Sequence, residues 1–131
     1  MTFCERLILA ISIKSSLITI TRVYTGDPPQ KGYRILIDRL WPRGISKERL
    51  RLDKWMRDIA PTNDLRKWYS HDPRKWDEFR NRYFVELDKN HHTRELLEIC
   101  RKNDVVFLYS SKVEHINNAV ALKEYVEEHQ R

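Results

Sequence analysis

The chain has 131 residues, 40% of them apolar, and a formal charge of +6; a chain of this size buries roughly two thirds of its unfolded surface, so one core and one domain are expected. The charge excess lies between residues 18 and 89, but bases alternate there with acids at helical spacing, as in KERLRLDKWMRD and RKWDEFRNR, which leaves nucleic acid a weakly supported partner. Cys4 and Cys100 stand far apart with no disulfide pattern, which points to reduced thiols in a cytoplasmic setting, and Cys100 on the apolar side of ELLEICRK reads as core filler.

MTFCERLILAISIKSS opens the chain with a seven-residue apolar stretch, LILAISI, flanked by Glu5, Arg6 and Lys14. That stretch is too short to span a bilayer and lacks the flanks of a signal peptide, so no membrane association is expected. Residues 1–16 read as an extension, packed as an extra helix or strand or arising from an overextended reading frame. Residues 17–131 read as the domain.

LITITRVY, 17–24, alternates and is β-branched, the pattern of a strand. TGDPPQKG follows as a loop because of its glycines and prolines. YRILIDRL is a second strand, apolar on both faces and so covered on both sides. Pro42 and Gly44 end it. Ser46 caps SKERLRLDKWMRDI, expected to be helical at least from Leu52 onward. Ala60-Pro61-Thr62 breaks that helix and starts a short one, NDLRKWYS. Asp72 as N-cap with Pro73 after it starts a helix to about Lys89, apolar at Trp76, Phe79, Tyr83 and Leu87. Thr93 caps the next helix, which runs through Leu96, Leu97 and Cys100 to near Asn103. DVVFLYS, 104–110, is the clearest strand, and from Ser111 the chain turns helical to its end. The order implies a small single-domain α/β fold with a short, mostly parallel sheet covered by helices.

If the strands at 33–38 and 104–109 are parallel, their carboxyl ends share one edge, where open α/β sheets bind ligands. One side of that edge presents Asp38, Arg39, Trp41 and Arg43. The other presents Tyr109, Ser110, Ser111 and Lys112. Ser111 and Glu114 match a capping box, and a helix starting there would aim its free N–H groups at the crevice beside Lys112, which welcomes an anion or does nothing more than start a helix. Asp38 and Arg39 could pair to fix their loop or contact a ligand. An aspartate at a strand end can serve as a general acid or base, and one beside arginines suits binding or orientation better. Arg43, on a loop with few packing duties, is the residue most readily assigned to a ligand. His71, at a helix entrance with Tyr69 and Asp72 near it, is a candidate proton carrier or a plain surface residue. Trp55, Trp68 and Trp76 read as core; Trp41 would cover the crevice or pin its loop. No His, Cys or carboxylate spacing matches a metal site, and no nucleotide-binding glycine loop or nucleophile elbow occurs, so no metal and no cofactor are expected.

RVY at 22–24, LIDRLWPRG at 36–44, the run from Trp55 through Ala60 and Pro61, LRKWYSHDPRKWDEFRNRY at 65–83, and LYSSK at 108–112 followed by NNAVALKEY together resemble the YeaO-like family of uncharacterised proteins, a domain-of-unknown-function family. The resemblance covers about Ile18 to Val126. It implies a small single-domain α/β protein and no established activity. After the lysine, that family usually reads an acid, two variable positions and a histidine-asparagine pair. Here Val113 and Ile116 stand in that stretch, with Glu114 and His115 displaced, which would remodel any ligand contact those positions make. Three readings follow: a small-ligand or anion site at the sheet's carboxyl edge, in a binder or an enzyme of unknown reaction; a nucleic-acid-associated module using the basic 18–89 region; or a compact structural or interaction domain.

Overall fold

In a computed structural model, residues 16–25 and 31–130 are described; the expectations for residues 1–15, Cys4 among them, and for most of the TGDPPQKG loop fall outside these. Four strands, β1 (Ile18–Arg22), β2 (Tyr33–Leu36), β3 (Lys54–Trp55) and β4 (Val105–Tyr109), form one sheet in the order β1-β4-β2-β3. All pairings are parallel. Among the described residues there are five α-helices: α1 (Lys47–Leu50), α2 (Asn63–Tyr69), α3 (Trp76–Lys89), α4 (Thr93–Lys102) and α5 (Asn118–His129). The α/β class with a short parallel sheet is as the sequence implies.

The alternation along each strand sorts two cores. Ile35, Ile37, Val105, Phe107 and Tyr109 face the main core with Leu65 and Tyr69 of α2, Phe79, Tyr83 and Leu87 of α3, Leu96 and Cys100 of α4, and Ala119, Leu122 and Tyr125 of α5. Leu36, Val106 and Leu108 face the other way, into a smaller cluster with Val23, Ile45 and Leu50, roofed by Trp41, Leu52 and Trp55. Both faces of β2 and β4 are therefore dry, which is why these strands read as continuous apolar runs. Cys100 is fully buried and burial pushes its thiol up to about 12, as core filler should behave.

Three local expectations are corrected. The helix read across 46–59 is one turn, α1, capped by Ser46, whose side chain accepts from the Arg49 N–H. It ends because Arg51 takes the left-handed conformation, φ 48° and ψ 54°, and because the buried Arg34 guanidinium holds the carbonyls of Leu50 (Nη2 2.8 Å) and Arg51 (Nε 3.2 Å). The chain then becomes β3, since β2 needs a backbone partner: Asp53 N–H donates to Arg34 O and Met56 N–H to Leu36 O, both at 2.9 Å. Secondly, Thr93 is the first helical residue of α4 and no cap; its hydroxyl donates to Leu87 O at 2.6 Å. Thirdly, the helix expected from Ser111 starts at Asn118. The Ser111 hydroxyl accepts from the N–H of Val113, only two residues on, and Asn117 does the capping: its Oδ1 accepts from the Val120 N–H at 3.0 Å while its Nδ2 donates to Val113 O at 2.7 Å. A short-range serine turn has displaced the capping box.

Trp68 and Trp76 pack against the main core and Trp55 against the smaller one. Trp41 pins its loop, donating from Nε1 to Ile45 O at 2.6 Å and meeting Trp55 edge to face at 5.4 Å.

Candidate functional site

Because β2, β3 and β4 are parallel, their carboxyl ends open on one edge, and a hollow of about 430 Å³ lies there. Its wall takes Asp38, Arg39 and Leu40 from the loop after β2, Ala60 and Pro61 from the segment after β3, and Ser110 and Ser111 from the loop after β4. Asn117 and Asn118 at the start of α5 and Arg66, Lys67, Tyr69, Ser70 and His71 from α2 and its exit close the rest, over Phe79. The volume falls within the range of small-molecule sites.

Asp38 is the clasp of this region. Its Oδ2 accepts from the Ser110 N–H at 2.8 Å and the Ser110 hydroxyl at 2.7 Å, and its Oδ1 accepts from Asn118 Nδ2 at 3.1 Å. Its carbonyl takes the Trp55 indole N–H at 2.7 Å. One aspartate thus ties the exits of β2, β3 and β4 and the start of α5. The Asp38–Arg39 pair considered from the sequence does not form: Asp38's charge goes to neutral donors.

Arg39 turns the other way. Its Nη2 reaches the carbonyls of Ala60 and Pro61, each at 3.4 Å, and its Nη1 lies 3.9 Å from the Asp58 carboxylate. These contacts are at the long limit of useful hydrogen bonds. Its Nε–H is buried and finds no acceptor. Arg66 donates to the neutral amide oxygen of Asn63 at 3.0 Å, and no ion pair engages Arg66 or Lys67 among the described residues. Among the hollow's described lining residues there are thus three cations, Arg39, Arg66 and Lys67, and one carboxylate, Asp38, that three donors already satisfy.

Ser70 and His71 form the exit of α2 with φ of 46° and 56°, a conformation in which each non-glycine residue carries strain of about 1 kcal/mol or more. The surroundings enforce it: Ser70 N–H closes on Arg66 O at 2.9 Å and Asp72 N–H on Tyr69 O at 3.0 Å. Asp72 caps the 3-10 turn at Pro73–Lys75, accepting from the Arg74 N–H. The turn brings the His71 ring within 5.9 Å of Tyr69. The Tyr69 hydroxyl donates to Ile116 O at 2.7 Å, and burial, aided by the Asp72 charge, pushes this phenol up to about 12.

Of the residues singled out from the sequence, the hollow gathers Asp38, Arg39, His71, Ser110 and Ser111. Arg43, Tyr109 and Lys112 lie outside its wall. Arg43 is exposed and offers only its carbonyl, to Tyr24 Oη at 2.8 Å; Tyr109 faces the main core; Lys112 is exposed. Sequence reasoning missed Arg66, Lys67, Asn117 and Asn118. The asparagines could have been found, since paired asparagines ahead of an alanine-rich helix are a start signal. The basic pair on α2 carries no such mark. Among the described residues no group of His, Cys, Asp and Glu could hold a metal ion, and no helix is long and apolar enough to cross a membrane.

The chain is similar to proteins of distant bacteria. The uncharacterized protein YeaO of Escherichia coli is 38% identical over 110 residues, 83% of this chain and 96% of YeaO. The uncharacterized protein Rv3073c of Mycobacterium tuberculosis is 38% identical over 93 residues, 71% of this chain and 79% of its own length. No solved structure matches. The family model described as the inactive DUF488-N3 subclade matches residues 17–131, and with these relatives it establishes that the chain belongs to that YeaO-like family of uncharacterised α/β proteins.

Proposed function

We propose that the hollow at the carboxyl edge of the sheet binds a small anionic ligand, and that this chain works as a binder and not as a catalyst. The observation that carries the reading is Arg39. Its side chain is 30% exposed, and its Nη atoms make only long contacts to the Ala60 and Pro61 carbonyls and to Asp58; an oxyanion in the hollow would give those Nη donors a shorter, charge-assisted partner. Arg66 and Lys67 add charge of the same sign to the same space. Ser111 and Asn118 add polar side chains from the loop after β4 and the start of α5.

Two observations favour binding over turnover. Asp38, the only carboxylate among the hollow's described lining residues, has its oxygens taken by Ser110 and Asn118, which leaves it poorly disposed to move a proton. The matching family model is itself described as inactive. The alternating charge of the helices, with pairs such as Arg82–Glu78 and Arg80–Glu124, argues against a continuous surface for nucleic acid.

The test is a thermal-shift screen of phosphorylated and carboxylated small molecules against the wild type, Arg39→Gln and, in a separate part of the molecule, Arg94→Gln. A ligand should raise the Tm of the wild type and of Arg94→Gln and leave Arg39→Gln unchanged. Equal stabilisation of all three would remove Arg39 from any ligand site, and stabilisation of none would remove the site.

A further inference from the structure

The hollow has two kinds of wall. Arg39, Arg66 and Lys67 provide charge, while Leu40 provides exposed apolar surface beside the buried Pro61 and Phe79. Leu40 is the unusual member, because 69% of it is exposed although its neighbours are held firmly: Asp38 by its three donors and Trp41 by its bond to Ile45 O. A lone exposed leucine is ordinary on a protein surface. Here it stands in a clasped loop and lines the hollow directly after Arg39, whose Nη atoms make only long contacts. A bare inorganic anion would satisfy Arg39 and leave Leu40 wet.

We infer that the ligand is amphiphilic: an oxyanion head that reaches Arg39, carried on a planar apolar body that covers Leu40. This deepens the anion-site reading and rests on it. A volume of about 430 Å³ has room for one aromatic ring with its anionic group. Covering the exposed leucine with a ring removes enough apolar area from water to strengthen binding roughly tenfold over the head alone.

The experiment is calorimetric or NMR titration of the whole chain with matched probes: phenyl phosphate against inorganic phosphate, and benzoate against acetate and benzamide. The aryl anions should bind at least tenfold more tightly than their bare heads, and more tightly than neutral benzamide. Leu40→Ser, at an exposed position, should abolish the aryl preference while inorganic phosphate or acetate binding persists; Arg39→Gln should lose both. The phosphate and carboxylate arms identify which head the site prefers. Bare anions binding as tightly as aryl anions, or an aryl preference undiminished in Leu40→Ser, would overturn the amphiphilic ligand while sparing the anion site. Benzamide matching benzoate would overturn it too, and no binding by any probe would overturn both.

Discussion

Two hollows stand out among the described residues, and the larger of them is the less promising. A groove of about 890 Å³ runs between α3, α4 and α5, with Asp88, Arg94, Glu98, Arg101, Tyr125 and His129 among its described lining residues. The carboxyl-edge hollow is about half that size. In the groove the polar groups are largely matched to one another. Glu98 takes Arg101 and Lys102, Asp88 accepts the Tyr125 hydroxyl at 2.6 Å, and the His129 ring stacks on Tyr125 with Nδ1 2.8 Å from its carbonyl. In the hollow the carboxylate is saturated and the guanidinium is not. Volume measures where helices fail to meet. Unmatched charge at a strand end measures where a ligand would change the energy.

The comparison breaks most sharply at Asp38. Asp38→Ala leaves the Ser110 N–H and the Asn118 amide without their acceptor and unties the loop after β2 from the exit of β4 and the start of α5, while the backbone tie to Trp55 stays, so urea denaturation should show a loss of about 3 kcal/mol. A loss below about 1 kcal/mol would mean the hollow is held by something other than this clasp.

Tyr69, on the hollow's wall, comes next. Its folded value is raised from 10 to about 12 by burial first and the Asp72 charge second, so the neutral phenol favours the fold. That stabilisation is complete below pH 10 and is lost as pH rises through about 12, an increment of roughly 2–3 kcal/mol. Stability measured at pH 9 and pH 12 should therefore differ less in Tyr69→Phe than in the wild type. An unchanged difference would show that this phenol ionises as freely folded as unfolded.

The groove should respond more weakly. Tyr125→Phe removes the hydroxyl from Asp88 but keeps the ring against Phe84 and His129, and should cost about 1 kcal/mol in the same denaturation assay. Burial, then Asp88, also raises this phenol well above its ordinary range, so its stabilisation has the same sign of pH dependence as that of Tyr69. The smallest effect belongs to Glu98, whose ion pairs lie in solvent; Glu98→Gln should leave the Tm unchanged within error in moderate salt. A clear drop there would make the groove a built site after all.

The motif HDPRKWDEF shows what could be read in advance. Asp72 caps and Pro73 follows; Trp76, Phe79 and Tyr83 then recur at helical spacing, and Tyr69 stacks on Phe79 at 4.2 Å while Tyr83 donates to Ile59 O at 2.6 Å. The cap, the proline and the helical spacing are local chemistry that a few adjacent residues carry, whereas the Tyr83 bond to Ile59 spans 24 positions. The stretch from Leu50 to Ile59 shows the opposite. Apolar residues at 50, 52, 55, 56 and 59 imitate a helix, and the chain instead becomes an edge strand because Arg34, sixteen residues away, captures the helix's last carbonyls. The serine and glutamate at 111 and 114 mislead in the same way, since Asn117, Val113 and Tyr69 hold that segment outside a helix.

The amino-acid sequence by itself determined the α/β class, the three longer strands, the helix that follows Asp72 and the burial of Cys100, because hydrophobic period, capping and turn residues act over a few positions and need no distant partner. Tertiary structure alone decided the remainder: that β4 lies between β1 and β2, that Asp38 serves Ser110 and Asn118 and not Arg39, and that Arg66 and Lys67 share a space with them while Arg43 and Lys112 do not. Those outcomes depend on which unsatisfied polar groups meet once the sheet has closed, and hydrogen-bond matching between residues about 70 to 80 positions apart, as from Asp38 to Ser110 and Asn118, leaves no periodic trace in the chain.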